Sequence, residues 1–245
     1  MADSKHKFSR VRRPPAYKIV ADELLKAVME RQLRPGDALS VESELAEQFG
    51  VNRSTVREGI RHLEQTGLVE RQGKRLVVSR PSYSALGDQV GMALLVHDVS
   101  FKELWDVKMV LEPLAAGLAS QGLGEGQLDR LERNLAETRV ALEKNENLVP
   151  LDLEFHELIA EAANNTALSI ARSAIARLFY PAYRVGMFPA SSGQRLLAAH
   201  EEIVAAIKEK DAAKASDWMR KHIVDFRRGY ELAGHDVDAP VPWSD

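Results

Sequence analysis

Four side chains suited to coordination chemistry are spread through the second half of this sequence: Asp152, His156, His200 and His222. Asp152 and His156 stand four apart, which places them on one face of a helix. Leu148, Leu151, Phe155 and Ile159 mark that face as apolar. Leu196, Leu197, Ile203, Val204 and Ile207 flank His200 in the same way, and Trp218, Met219, Ile223 and Phe226 flank His222. Each imidazole is therefore expected to point into a helical core. A lone histidine on an apolar face is usually a core residue with one hydrogen bond. Three on separate helices, with a carboxylate one turn before the first, are costly to desolvate unless a cation unites them. Neutral imidazoles and one carboxylate suit a divalent transition metal, zinc first, with nickel or manganese as chemical alternatives. The chain has no cysteine, so thiolate ligands, disulfides and cysteine nucleophiles are excluded.

A second group suits a polyanion. In the segment ESELAEQFGVNRSTVREGIRHLEQTGLVE, Glu44 to Phe49 reads as a short helix and Gly50 as a tight turn. Asn52 or Ser54 can cap a further helix running to about Thr66. Val51 and Val56 can pack the two helices together, which leaves Asn52, Arg53, Ser54, Thr55 and Arg57 near the exposed start of the second. In a helix-turn-helix that start enters the major groove of double-stranded DNA. Arginine there forks onto guanine or clamps phosphate. Lys74 and Arg75 sit at the tip of a following hairpin, whose strand-like runs, Leu68 to Arg71 and Arg75 to Ser79, are separated by Gln72, Gly73 and Lys74. Charge agrees with this division: residues 1–80 carry 16 Lys and Arg against 11 Asp and Glu, leaving 17 against 25 for the remainder. Only the basic head is expected to meet a polyanion.

The elements that must position these groups divide the chain. Residues 1–15 read as a flexible basic arm, 16–80 as a winged helix-turn-helix, 81–100 as a linker and connecting helix, 101–232 as a helical domain, and 233–245 as a loose tail. The first helix should start near Tyr17 and stop at Arg34, Pro35 and Gly36. From Phe101 the pattern is a succession of amphipathic segments, six or seven helices in an antiparallel bundle. The expected fold class is mainly α. No apolar run is long enough to cross a bilayer and no secretory signal opens the chain. No membrane partner is expected, and a cytoplasmic location is.

The DNA-reading segment resembles the GntR superfamily of bacterial regulators. Leu45, Ala46, Phe49, Gly50, Val51, Arg53, Thr55, Val56, Arg57, Leu63, Gly67, Leu68 and Val69 stand at that family's motif positions. Ser40 stands where the family has Pro, Ser43 where FadR-type members often have a base-contacting Arg, and the wing has a single glycine, Gly73. The second half resembles the FCD domain of the FadR-type branch, whose Asp and His four apart and two later histidines match Asp152, His156, His200 and His222. The resemblance implies a homodimer on a pseudo-palindromic operator, acting as a repressor, with open metal positions facing a pocket for a small organic acid. It places Lys108 where the domain commonly has Arg, and Asn165 at the asparagine of the domain's pattern. Arg177, Tyr180 and Arg184, at i, i+3 and i+7, offer cationic forks and a hydroxyl to a carboxylate, and Lys108, Arg139, Asn165 and Arg172 are further effector-binding candidates.

Other chemistries fit less well. His156-Glu157 lacks the second histidine of a zinc protease, because Ala160 occupies its place. Gly122 to Gly126 has neither the preceding strand nor the following Lys of a phosphate loop. No serine lies in a strand-to-helix elbow. The competing reading is a metal-dependent enzyme fused to a DNA-binding head, with Glu154, Glu157 or Glu201 as its base. Their helical phase turns all three away from the histidines. A DNA-binding protein with a purely structural metal is the third reading.

Overall fold

The computed structural model describes residues 14–185 and 190–241; within these, the side chains of residues 83–85, 88–89, 174, 177, 180–185 and 190–191 lie outside the description. The chain forms two units, divided after Ser82.

The first unit contains α1 (Ala16–Met29), α2 (Glu42–Phe49), α3 (Arg53–Gln65), β1 (Val69–Gln72) and β2 (Arg75–Val78). Helix α1 ends earlier than the sequence pattern indicates. Arg31 adopts φ 60°, and the N–H groups of Arg31 and Gln32 turn back to the carbonyls of Val28 and Ala27 at 3.0 and 2.9 Å. This Schellman closure folds Leu33 onto the core instead of extending the helix to Pro35. Gly50 takes φ 63° to end α2, and Val51 N–H returns to Ala46 O at 3.0 Å, which sets the sharp turn into α3. Asn52 is the N-cap of α3 by backbone, but its side chain makes no capping hydrogen bond. Val20, Leu24, Leu45, Val56, Ile60 and Leu63 close the core between the three helices.

Strands β1 and β2 pair antiparallel, from Val69 opposite Val78 to Gln72 opposite Arg75. The sequence pattern does not show that residues 36–39 also run along β2. Leu39 N–H donates to Leu76 O at 2.8 Å, Val78 N–H donates to Asp37 O at 2.9 Å, and Ala38 bridges Val77. The hairpin is thereby tied to the chain that leads into α2.

The helices of the second unit are α4 (Tyr83–Val96), α5 (Phe101–Gly122), α6 (Gln127–Glu143), α7 (Val149–Ala162), α8 (Thr166–Val185), α9 (Ala190–Lys208) and α10 (Ala212–Leu232). The described part of the tail, expected to be loose, instead returns to the start of α5: Pro240 bridges Ser100, Lys102 N–H donates to Val237 O at 2.8 Å and Val241 N–H to Val99 O at 2.9 Å. The segment expected to connect the domains is helix α4, which packs on α8. A capping box of Ser100 and Glu103 opens α5. Phe155, Ile159, Ile203, Ile207, Met219 and Ile223 form the bundle centre. α5 and α10 approach closely because Gly117 has no side chain: a Cβ there would stand 2.6 Å from Ser216 Oγ, which itself donates to Pro113 O at 2.7 Å.

Candidate functional site

Helix α7 carries Asp152 and His156 inward one turn apart, α9 supplies His200 and α10 supplies His222; all four are buried. Asp152 Oδ1 is the hub, with His200 Nε2 at 3.1 Å, His222 Nε2 at 3.4 Å and His156 Nε2 at 3.9 Å. The Nε2 atoms of His156 and His222 are 3.2 Å apart. Asp152, His156 and His222 each present a ligand atom within 4.8 Å of the others, and His200 joins them through Asp152. Ligand atoms about 2.0–2.1 Å from one tetrahedral ion lie roughly 3.3 Å from each other, and the spacings found here bracket that value.

Satisfaction of polar groups leads to the same conclusion. Both Asp152 carboxylate oxygens and both His200 nitrogens are buried without an aligned hydrogen bond, the 3.1 Å approach included. An unpaired buried polar group costs about 1–3 kcal/mol, so a cation would remove a real deficit. Burial raises the Asp152 carboxyl, but the histidines around it outweigh burial and hold it well below its ordinary range. Burial pushes His200 down to about 3 against the pull of Asp152. A carboxylate and a neutral imidazole are the forms that ligation needs. The His200 ring is fixed by stacking on Phe155, with centroids 3.6 Å apart and planes 7° from parallel.

Beside this cluster lies a group that the sequence reading missed in part. Glu112, on α5, accepts from His156 Nδ1 at 2.9 Å. That contact assigns the proton to Nδ1 and leaves the Nε2 lone pair facing the cluster. Its other oxygen, Oε1, faces Lys108 Nζ at 3.6 Å and Arg172 Nε at 3.5 Å. All three charged residues are buried. Burial raises the Glu112 carboxyl, and His156, Arg172 and Lys108 together overcome it and hold the group low. Burial and the Lys108 charge depress His156, against Glu112. Lys108, Glu112, Arg172 and Phe179 line a recess too narrow to admit a water molecule as it stands, and Lys108 Nζ lies 5.2 Å above the Phe179 ring. The available signal for Glu112 was a lone carboxylate inside the apolar run from Val110 to Ala116, one turn after Lys108.

Two of the other expected effector residues, Arg139 and Asn165, are not brought to this recess. Arg139 is on the surface and pairs with Glu201. Asn165 is exposed, and its Oδ1 accepts from Leu168 N–H at 3.1 Å, which caps α8. Arg177, Tyr180 and Arg184 fall on α8, and their side chains lie outside the described residues. The three carboxylates considered as a catalytic base are engaged elsewhere: Glu154 with Asn134 at 3.0 Å, Glu157 with Arg172 at 3.4 Å and Glu201 with Arg139.

In the first unit Asn52, Arg53 and Ser54 are exposed at the start of α3, Thr55 and Ser43 are half-buried, and Lys74 and Arg75 are exposed at the hairpin turn. Arg57 is also exposed but is gripped by Glu42 from α2, with Nη2 2.7 Å and Nε 3.1 Å from Oε2. Arg71 reaches Glu42 at 3.8 Å and Glu64 at 3.1 Å, so two arginines and two carboxylates brace α2, α3 and β1. Arg57 holds Glu42 below its ordinary pKa despite some burial.

A helix-turn-helix with a small β wing, followed by a separate helical unit built around buried histidines, defines a DNA-binding transcription regulator. Residues 16–78 match the model for bacterial regulatory proteins of the gntR family, and residues 103–225 match the FCD domain. The chain belongs to the GntR family, in the FadR-type branch that carries a C-terminal FCD domain. It is similar to the HTH-type transcriptional regulator LutR of Bacillus subtilis (strain 168), 31% identical over 208 residues that cover 81% of this chain and 95% of that one. It is also similar to the HTH-type transcriptional repressor NanR of Cronobacter sakazakii, 29% identical over 227 residues, covering 86% and 85%. Among solved structures, Streptococcus agalactiae GntR is 29% identical with a TM-score of 0.64, covering 86% of this chain and 99% of that one. These families and relatives are transcription regulators, not enzymes.

Proposed function

We propose that this chain is a metabolite-responsive repressor that works in the cytoplasm, as a homodimer, on a pseudo-palindromic operator. Asp152, His156, His200 and His222 hold a divalent transition metal, zinc being the first choice, and a small organic acid is the effector. The observation that carries this reading is the buried set of unpaired polar atoms on Asp152 and His200, set within ligand spacing of His156 and His222. The metal, when bound, supplies a fixed positive charge that attracts a carboxylate. Lys108 and Arg172 add positive charge from the neighbouring recess, whose walls must part to admit a ligand. Repression is the role printed for the relative NanR. Dimerisation finds support in an exposed apolar row on α5, Val107, Val110 and Leu114 at i, i+3 and i+7, which a second copy of the chain would cover.

On the DNA side, Arg53 and Asn52 reach base edges, Ser54 and Thr55 reach bases or phosphates, and Lys74 and Arg75 reach the adjacent backbone. Arg57 is delivered from a fixed position set by Glu42, and Ser43 adds a weaker polar contact. A coupling of about 1–3 kcal/mol between acid and operator suffices for regulation. The test is a thermal-shift screen of small organic acids on zinc-loaded protein, followed by titration of each hit against an operator selected by the protein from random DNA. An acid that raises Tm and changes operator affinity is the expected result. Acids that shift neither quantity would overturn the effector reading.

A further inference from the structure

Glu112 stands between two groups that both need its charge. One oxygen accepts from His156 Nδ1 at 2.9 Å, while the other faces Lys108 Nζ at 3.6 Å and Arg172 Nε at 3.5 Å. Neither cation is within hydrogen-bonding distance of that oxygen, and Arg172 Nε has no hydrogen-bond partner at all. Two buried cations thus share one buried carboxylate, with Glu157 answering Arg172 only from the exposed rim, at 3.4 Å. A buried charge left partly unpaired is costly, so both cations draw on the charge of a carboxylate that is already hydrogen-bonded to His156. Resting on the metal assignment made above, we propose that Glu112 is a positioning residue, a shared counter-charge through which Lys108 and Arg172 set how strongly His156 holds the metal.

The physical chain is short. A carboxylate that accepts from the far nitrogen of a ligating imidazole fixes its tautomer and raises its donor strength, and losing such a partner typically costs 10–100-fold in metal affinity. The more the negative charge of Glu112 is claimed by Lys108 and Arg172, the less of it supports His156. An oxyanion in the recess takes over the two cations, returns Glu112 to His156 and tightens the metal. By linkage, a bound metal draws Glu112 toward His156, leaves Lys108 and Arg172 short of a counter-charge, and favours the oxyanion to the same degree. The recess and the metal centre therefore act as one cooperative site without requiring the anion to touch the ion.

The experiment uses zinc alone, by competition with a chromophoric chelator, on the full chain and on Glu112→Gln, Lys108→Met and the double variant. Glu112→Gln keeps an acceptor for His156 but removes the charge, and is expected to weaken zinc by at least about 10-fold. Lys108→Met should do the opposite and tighten zinc several-fold, and that gain should largely vanish in the Glu112→Gln background, since the effect runs through Glu112. An undiminished gain in the double variant would mean that Lys108 acts on the ion directly and would overturn the proposal, as would Glu112→Gln binding zinc like the parent. Arg172→Gln repeats the Lys108 arm if Lys108→Met fails to fold, as judged by circular dichroism. Failure of the parent chain itself to bind zinc would instead sink the metal assignment, and this inference with it.

Discussion

The two units carry their chemistry in opposite ways. In the first, Asn52, Arg53, Ser54, Lys74 and Arg75 stand exposed on a small core, and the charges not left free are braced by carboxylates on the same surface. In the second, seven charged or titratable residues, Lys108, Glu112, Asp152, His156, Arg172, His200 and His222, are buried together. Water already solvates the first set, so its function needs only shape and a partner with the opposite charge. The second set is sustained against desolvation by mutual contacts, and it retains unpaired atoms where those contacts run out. Substitutions on the surface of the first unit should therefore change binding without changing folding, whereas substitutions in the centre of the second should change both.

The sharpest test of that contrast is metal removal. A ligand present at about a thousand times its Kd stabilises the folded state by roughly 4 kcal/mol. For a unit of this size that corresponds to a Tm shift on the order of 10 °C. Zinc added to chelator-stripped protein should raise the transition of the helical unit by about that much and leave the transition of the DNA-binding unit in place, as followed by calorimetry. His200→Ala should abolish both the shift and the bound zinc found by elemental analysis. Full zinc occupancy in that variant would show that the ion is held elsewhere.

A core substitution in the other unit gives the converse. A Cβ on Gly59 would lie 2.8 Å from Tyr17 O and 3.1 Å from Val20 Cγ1, where α3 crosses α1. The first of these is backbone and cannot turn aside. Gly59→Ala should therefore cost about 1–3 kcal/mol, visible as a lowered first transition with zinc content unchanged. Arg53→Ala, one helix turn and a half earlier and exposed, should leave both transitions alone and weaken the selected operator by about 1–3 kcal/mol, roughly 5–150-fold, with the loss concentrated at one base position. Uniform weakening across all sequences would reassign Arg53 from base reading to phosphate contact.

How legible each region was follows from the range of the interactions involved. The helix-turn-helix lies within thirty consecutive residues, and Gly50, Val51, Val56 and Leu63 each encode a local requirement: a left-handed turn, or a core position at helical spacing. The four residues proposed as metal ligands were legible because each sits on an apolar stripe where a polar group is out of place. Glu112 was not: a carboxylate one turn after a lysine reads as an exposed ion pair, and only the packing of α5 against α7 and α8 buries it. Pairing of residues 36–39 with β2 was hidden for the same reason, since no alternation marks so short a run. Asn165 shows the reverse error. Its place before α8 signals a helix cap, and the structure gives it that local task.

Arg139 provides the mildest test, because the two readings of it differ most clearly. As an effector residue it would belong with the buried charges of the second unit; the structure instead places it at the surface, half exposed and paired with Glu201 across α6 and α9. Exposed pairs of this kind contribute about 0–1 kcal/mol, since water screens them and ordering two long side chains offsets the attraction. Arg139→Ala should therefore lower Tm by no more than a degree or two, with the decrement shrinking further in high salt. Zinc affinity, and the effect of any active acid on operator binding, should match the parent within error. A selective loss of the acid response, with zinc affinity intact, would bring Arg139 back to the ligand and show that chemistry in the helical unit extends beyond its buried centre.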